Sequence, residues 1–389
     1  MNTLSIWAFW LAAAVLGYIY VGFALLVYTH GRWRHREIVK RPITPRISMI
    51  VAAHNEAGQI GQKVDNCLAL DYPAEALEVI IGSDGSDDDT ERIVARRTDP
   101  RVRLLVFPRR GKTHVLNGCV PVSRGELLVF SDANTHLDRA ALRNLARNFA
   151  DPSVGGVCGN QLYRASPGGE SSGAGERLYW AYDKWLKRQQ TRGGSIVAAD
   201  GAIYAIRRHL YQPPPTAAVT DDFAISTGVV ERGWRLVYEN EAFAYEPATE
   251  KAGAEFHRKV RIIVRGLHGV ALRRRLLNPF RYGFYSIVLF SHKVLRRAAA
   301  LFLLLLLAAS VVLARGDDFY VAALVLQLLF YLLAGAGYMT RARRVGRTKW
   351  LYAPFHYCLL HGAALVAFGK LLRGTRIETW QPQRRRVVG

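Results

Sequence analysis

Apolar residues gather along the chain in two ways. At both ends they form long runs, and in the middle they form short runs separated by segments of helical spacing. Leu4–Val27 is almost uncharged and rich in aromatics, and a bilayer core needs about 20 such residues. No basic segment precedes it and no small-residue cleavage site follows it. Residues 1–29 therefore read as an uncleaved transmembrane anchor and not as a signal peptide. Ala298–Ala314 and Phe319–Met339 predict two further spans around the acidic turn Gly316-Asp317-Asp318. Leu351–Leu372 is a fourth apolar stretch, interrupted by His356, His361 and Lys370. It reads as a span that completes a C-terminal region at 298–372, with a re-entrant or interfacial placement as the alternative. Arg281–Arg297 is apolar in its middle and basic at its ends, which predicts an interfacial amphipathic helix within 271–297.

Between these ends the pattern changes. Ile47–Ala53 (ISMIVAA) is a continuous apolar run, as expected of a strand buried on both faces. Leu77–Gly82, Val102–Phe107 and Glu126–Ser131 repeat the signal. Helical spacing separates them at Glu56–Leu70, Asp88–Arg97 and Lys112–Val120. Such alternation predicts an α/β domain over 47–270, with a mostly parallel sheet and helices on both faces. Ligands then belong at the carboxyl ends of the strands. Beyond Val154 the alternation loosens. Glu176–Gln190 and Asp221–Arg232 read as helices, and Gly193–Ile206 as short strands around Asp200-Gly201.

Charge adds orientation. The 389 residues carry a formal net charge of +22, much of it beside the apolar runs. His30–Arg46 and Thr340–Lys349 are strongly basic, which places both in the cytoplasm by the positive-inside rule. Residues 30–46 become a basic cytosolic linker, and 373–389 a basic tail. The expected location is the cell (inner) membrane, with the catalytic domain cytoplasmic. Basic flanks of this kind suit anionic lipid head groups, so no nucleic-acid partner is expected. Cys67, Cys119, Cys158 and Cys358 are scattered with no CxxC pair, so neither a disulfide framework nor a zinc site is expected.

Polar clusters fall just after the strands. In Ser83-Asp84-Gly85-Ser86-Asp87-Asp88, Asp84 can accept from a ribose or a base N–H; a plain helix cap is the alternative. The strand in LLVFSDANTHLD (Leu127–Asp138) ends on Asp132, with Asn134 two positions later. A carboxylate and a carboxamide so spaced could hold Mg2+ or Mn2+ once a diphosphate completes the shell; a backbone-capping turn is the alternative. Thr220-Asp221-Asp222 precedes a helix, where adjacent carboxylates can separate in pKa and leave one as a general base. Arg258, Arg261 and Arg265 share one helix face, suited to a leaving diphosphate or to lipid head groups. Arg109-Arg110-Gly111-Lys112 is a second basic site, at a helix start.

These stretches occur in one order: VAAHNE (Val51–Glu56), SDGSDD (Ser83–Asp88), RGKTHVLN (Arg110–Asn117), SDAN (Ser131–Asn134), DGAIYAIRR (Asp200–Arg208) and TDD (Thr220–Asp222). In that order the chain resembles a membrane-anchored family 2 glycosyltransferase of the cellulose, hyaluronan and chitooligosaccharide synthase group. The resemblance implies a GT-A nucleotide-sugar-binding domain flanked by transmembrane helices, and an inverting, metal-dependent transfer. It assigns Asp222 as the base with Asp221 beside it. Asp84, Glu56, Lys112, Asp132 and the three arginines would meet the nucleotide-sugar, a UDP-sugar first among candidates. Asp132 and Asn134 would hold the metal, and Asp200 and Gly201 the acceptor. Two departures stand out: Asn134 replaces the second aspartate of the DxD motif, and Ile262, not Trp, follows Arg261. A sugar-stacking platform is therefore missing. A single transfer to a lipid-linked or glycan acceptor, in extracellular polysaccharide or glycolipid synthesis, is favoured over a processive polysaccharide synthase. An inactive membrane-anchored nucleotide-binding assembly protein is the alternative of another class.

Overall fold

The computed structural model describes residues 3–164, 174–215, 219–247, 252–341 and 348–375. Its centre is an eight-stranded sheet: β1 (Ile47–Ala53), β2 (Leu77–Asp84), β3 (Val102–Phe107), β4 (Leu127–Asp132), β5 (His136–Leu137), β6 (Val154–Arg164), β7 (Tyr204–Arg207) and β8 (Arg235–Pro247). The spatial order is β3-β2-β1-β4-β7-β6-β8-β5. Every residue of β1 is buried, as its unbroken apolar run requires. β1 pairs in parallel with β2 and β4, and β2 with β3. β7 runs antiparallel to β4 and β6, and β5 antiparallel to β8, while β6 and β8 are parallel. The sheet is thus mixed: the parallel half is the expected one, and the half beyond β4 reverses direction at β7. Register aligns the strand ends, with Ala52 opposite Asp132 and Ala53 opposite Ser83. That alignment sets Asp84 and Asp132 on one edge.

The second half departs from the sequence reading. β6 and β8 are long paired strands that no alternation announced, because register shifts at Val154/Gly156 and Cys158/Asn160 break the period of two. Of the strands expected over Gly193–Ile206, only Tyr204–Arg207 forms. The helices Ala174–Gly193 and Asp221–Glu231 lie where they were expected.

Among the described residues four helices are long and apolar enough to cross a membrane: Thr3–Trp33, Phe284–Leu313, Asp318–Thr340 and Lys349–Leu372. Lys349–Leu372 is one helix of 24 residues, about 36 Å at 1.5 Å per residue. No separate interfacial helix fills 271–297. The chain leaves the helix Ala252–Leu272, makes a short 3₁₀ turn at Arg274–Leu277 and a four-residue helix at Pro279–Tyr282, then enters Phe284–Leu313 without a break. The first part of that helix docks on the catalytic core, where Tyr285, Val288 and Leu289 share a cluster with Phe223 and Ile225. Phe23 and Val27 of the first helix join the same cluster.

The basic linker is held down as well. Lys40 Nζ bonds Glu239 Oε2 at 2.8 Å, and Arg235 donates to the carbonyls of Arg36 and Glu37. The last long helix packs Ala363 and Ala367 on Val260 and Val264 of the arginine-bearing helix. Residues 342–347, in the basic segment Thr340–Lys349, and 376–389, in the basic tail, lie outside the described residues.

Docking of the first helix depends on close approach at Gly31, where a Cβ would lie 2.7 Å from the Gln189 carbonyl oxygen. Gly31→Leu is predicted to destabilise the protein in detergent by about 1–3 kcal/mol through overpacking. Thermal unfolding checks this, with Gly17→Leu as control, since nothing lies within 4 Å of a Cβ there; an unmoved midpoint for Gly31→Leu would contradict the docking.

Candidate active site

The loops after β1 and β2 are laced together first. Asn55 adopts φ 55°, a left-handed conformation that asparagine tolerates better than most residues. Its N–H donates to Ser86 Oγ (3.2 Å), and its Oδ1 accepts from the Asp87 N–H (3.0 Å). The Glu56 N–H donates to Thr90 Oγ1 at 2.8 Å. Glu56 thereby stands at the strand edge. Burial, with the neighbouring charges of Asp132 and Asp88, raises its pKa despite a bond from Gln59.

Asp84 closes β2 and is fully buried. Its oxygens accept from the Arg109 guanidinium and from the N–H groups of Arg110 (2.8 Å) and Gly111 (2.9 Å). The basic stretch Arg109–Lys112 therefore already has an anion, supplied by the chain itself. To meet a nucleotide, Asp84 must give up Arg109. Gly85 makes this packing possible: its φ is +59°, and a Cβ would lie 2.9 Å from the Arg109 nitrogen.

From this loop the helix Lys112–Cys119 begins, and its first side chain carries the central contact. Lys112 Nζ lies 2.6 Å from Asp132 Oδ1 and 3.0 Å from Asp221 Oδ2. One ammonium thus joins the end of β4 to the start of the helix Asp221–Glu231. Burial alone would lower the lysine pKa, but the two carboxylates outweigh it and raise it. Burial likewise pushes Asp221 upwards, and Lys112 and Arg265 overcome that and hold its carboxyl below the ordinary value. Among the described residues Asp222 has no such ion pair. Burial and the adjacent Asp221 charge push it up to about 6, against Lys112 and the Phe223 N–H that donates to its Oδ1 at 2.7 Å. Thr220 makes no side-chain cap, so helix capping does not account for the triplet.

Gly201 lies between the two halves: a Cβ there would sit 3.3 Å from Asp132 Oδ2 and 3.7 Å from Asp222 Oδ2. Asp200 is held by Lys187, which also pairs with Asp183 at 2.8 Å. Arg265 donates to the Val219 carbonyl at 2.6 Å, beside Asp221. Arg261 is half-buried; burial and the like charges of Arg265 and Arg258 lower its pKa. Three mutually repelling guanidiniums invite an anion.

Several participants were not singled out as site residues by the sequence. Lys63 is buried under the Asp132 turn and donates to Ser131 Oγ and the Thr135 carbonyl, both at 2.7 Å. Glu246 accepts from Thr135 Oγ1 (3.0 Å) and Gln161 Nε2 (2.7 Å). Burial and the Asp132 charge push it up to about 7. The Tyr204 hydroxyl is buried without a hydrogen-bond partner among the described residues, and it faces Asp221 and Asp222. No local pattern marks Lys63 or Glu246, which act through partners remote in sequence, whereas Tyr204 lies inside the stretch Asp200–Arg208.

Asp132 and Asn134 are hard oxygen donors of the kind Mg2+ and Mn2+ take. Asn134 is exposed, and the Oδ2 of Asp132 is turned towards Gly201 rather than Lys112. Among the described residues no group of three or more His, Cys, Asp or Glu is arranged as a cation shell. The donor set therefore fits an ion that keeps water and phosphate oxygens for most of its shell. An open cleft of about 670 Å³, lined by Arg46, Arg124 and Arg207, lies at the opposite edge of the sheet, where β1 and β4 begin.

This geometry predicts that Gly201→Ala abolishes transfer while the unfolding midpoint stays near that of the wild type. The added methyl group enters between Asp132 and Asp222 without crossing the apolar core. Retained turnover would show that this gap is not used.

Comparison with known proteins agrees with the architecture. A mannosyltransferase from Pyrobaculum calidifontis, solved with GDP-Man and Mn2+, superposes with a TM-score of 0.68 at 24% identity; the match covers 95% of this chain and all of that one. That likeness shows the GT-A-type fold. A poly-beta-1,6-N-acetyl-D-glucosamine synthase of Staphylococcus aureus is 29% identical over 236 residues, 58% of this chain and 56% of that protein. A beta-monoglucosyldiacylglycerol synthase of Trichormus variabilis is 28% identical over 207 residues, 51% and 44%. The chain thus spans about half the length of the curated relatives it matches. Residues 45–264, more than half of the chain, match the profile described as glycosyltransferase like family 2, and the chain belongs to that family.

Proposed function

We propose that the protein is an inverting, metal-dependent glycosyltransferase that moves a sugar from a nucleotide-diphosphate sugar to a lipid-linked or glycan acceptor at the cytoplasmic face of a cell membrane. The observation that carries this reading is the separation of Asp221 from Asp222. The first is ion-paired with Lys112, and the second is half-buried, has no ion pair among the described residues, and is pushed up to about 6. A general base works best with a pKa near the working pH. The donor base and sugar are open, with a UDP-sugar first, as the resemblance to the synthase group implies.

Asp222 takes the proton of the acceptor hydroxyl as that oxygen attacks the anomeric carbon. The new carbon–oxygen bond forms on the face opposite the diphosphate, and the old bond breaks with its electron pair on the departing phosphate oxygen. This parallels the carboxylate-activated water of inverting glycosidases. Asp132 and Asn134 would hold a divalent cation, which when bound supplies Lewis-acid neutralisation of the diphosphate. Arg258, Arg261 and Arg265 meet the charge that develops on the leaving group. Lys112 keeps Asp221 ionised and holds Asp132 and Asp221 in register. Asp84 and Glu56 serve the nucleotide end, and Asp200 and Gly201 the acceptor end. Ile262 in place of a stacking tryptophan supports a single transfer over processive synthesis. Retention of all three carboxylates speaks against an inactive binding protein.

Asp222→Asn is predicted to lower kcat by about 10²–10⁴-fold and to leave the donor KM within a few-fold. The wild-type kcat/KM falls tenfold per unit below about pH 6, because the base must be ionised. Asp221→Asn removes a neighbouring negative charge, so the acid limb of its residual activity moves to lower pH. A limb unmoved by Asp221→Asn, or near-normal turnover in Asp222→Asn, contradicts the assignment.

A further inference from the structure

The helix Phe284–Leu313 has the apolarity of a membrane span, yet its first half carries His292, Lys293, Arg296 and Arg297. Its Phe290–Leu295 turn is a π-helix, a widened turn that recurs at functional sites. Lys293 leaves this turn towards the catalytic domain. Its Nζ lies 5.9 Å from the centroid of the Phe223 ring, and Phe223 directly follows Asp222. The ammonium stands in the field of three carboxylates, Asp200, Asp222 and Asp183, with Arg297 on its other side. Two of these carboxylates are engaged elsewhere, Asp183 and Asp200 by Lys187. Among the described residues no hydrogen bond or ion pair engages Lys293 Nζ. An ionisable side chain in a membrane-crossing helix is costly, and it faces an interior site when it is retained.

The surroundings say what it faces. On one side is the carboxylate assigned as the base. On the other, Ile287 and Phe290 of the same helix expose apolar surface, which a bilayer would cover. Arg297 is turned back onto the arginine-bearing helix, where it donates to the Ile263 carbonyl at 3.4 Å. Lys293 therefore stands between the exposed apolar surface of Phe284–Leu313 and the residue that follows Asp222. Lysine is a point-charge binder of phosphate, with three donors and no demand for a planar partner.

We infer that Lys293 binds the acceptor, and that the acceptor is a phosphate-bearing membrane lipid whose anionic group sits on Lys293 while its nucleophilic oxygen reaches Asp222. This inference rests on the transferase reading and names its acceptor class. It also gives the first half of the span a function that plain anchoring does not need.

The test uses the full-length protein in detergent and a panel of labelled UDP- and GDP-sugars. The acceptors are the acidic and neutral fractions of a lipid extract from the producing cells, separated by anion exchange, with glycerol 3-phosphate as a soluble phosphate ester. The expected result is transfer to the acidic fraction. Lys293→Met should raise the KM for that fraction at least tenfold and leave the donor KM within twofold, while Lys293→Arg recovers most of the loss. A purely structural role would move both KM values and the unfolding midpoint together. Lys293→Gln, which keeps a polar head, is measured alongside in case the methionine variant fails to fold. Transfer to the neutral fraction, an acidic-fraction KM unmoved by Lys293→Met and Lys293→Gln, or equal use of glycerol 3-phosphate would each overturn the inference and leave the transferase reading standing. No transfer from any donor to any acceptor by the wild type would overturn both.

Discussion

The catalytic face depends on one ammonium between two carboxylates. Lys112 joins Asp132, at the end of a central strand, to Asp221, at the start of a helix nearly ninety positions later in the chain. Without that cation the two acids would repel each other in a buried place, where such repulsion is expensive. The bridge has its own foundation. Asp84 gathers the backbone of Arg110 and Gly111, and Gly111 turns with φ 94° to start the helix whose first residue is Lys112. The same economy repeats nearby. Lys63 lies beneath the Asp132 turn and Lys187 between Asp183 and Asp200. Lys112 and Lys187 each hold a pair of carboxylates, while burial and the Asp221 charge leave Asp222 with a raised pKa.

The catalytic core and the helices of membrane-spanning length are one packed body. Phe23, Val27, Tyr285 and Leu289 belong to the same apolar cluster as Phe223 and Tyr204. The arginine-bearing helix is packed on its other side by the last long helix. Helices that in sequence look like anchors are thus walls of the domain. This arrangement explains why Phe284–Leu313 bends its hydrogen bonding within the catalytic contact and nowhere else along its length.

Much of this was legible in the chain. Ile47–Ala53 and Val102–Phe107 form with the bounds that their apolar runs indicate. The acids at the ends of β2 and β4 converge because parallel strands end together. Other parts were hidden for physical reasons. β6 and β8 carry register shifts that destroy the alternation by which a strand is recognised. Residues 271–297 looked interfacial because their basic ends and apolar middle are amphipathic on paper, whereas burial against the catalytic core makes one face of that segment interior. Lys63 and Glu246 were invisible because each owes its place to a partner at least 60 residues away.

The central claim is that this lysine-buttressed carboxylate face holds a nucleotide-sugar and a divalent cation. It is tested most directly by release of free nucleotide from a panel of UDP- and GDP-sugars by the detergent-purified protein, with Mn2+, with Mg2+ and with chelator. The account predicts release from one donor that depends on the metal and is lost in Asp132→Ala. Release that is unaffected by chelator and by Asp132→Ala, or no release from any donor even with membrane lipid extract added, would contradict it.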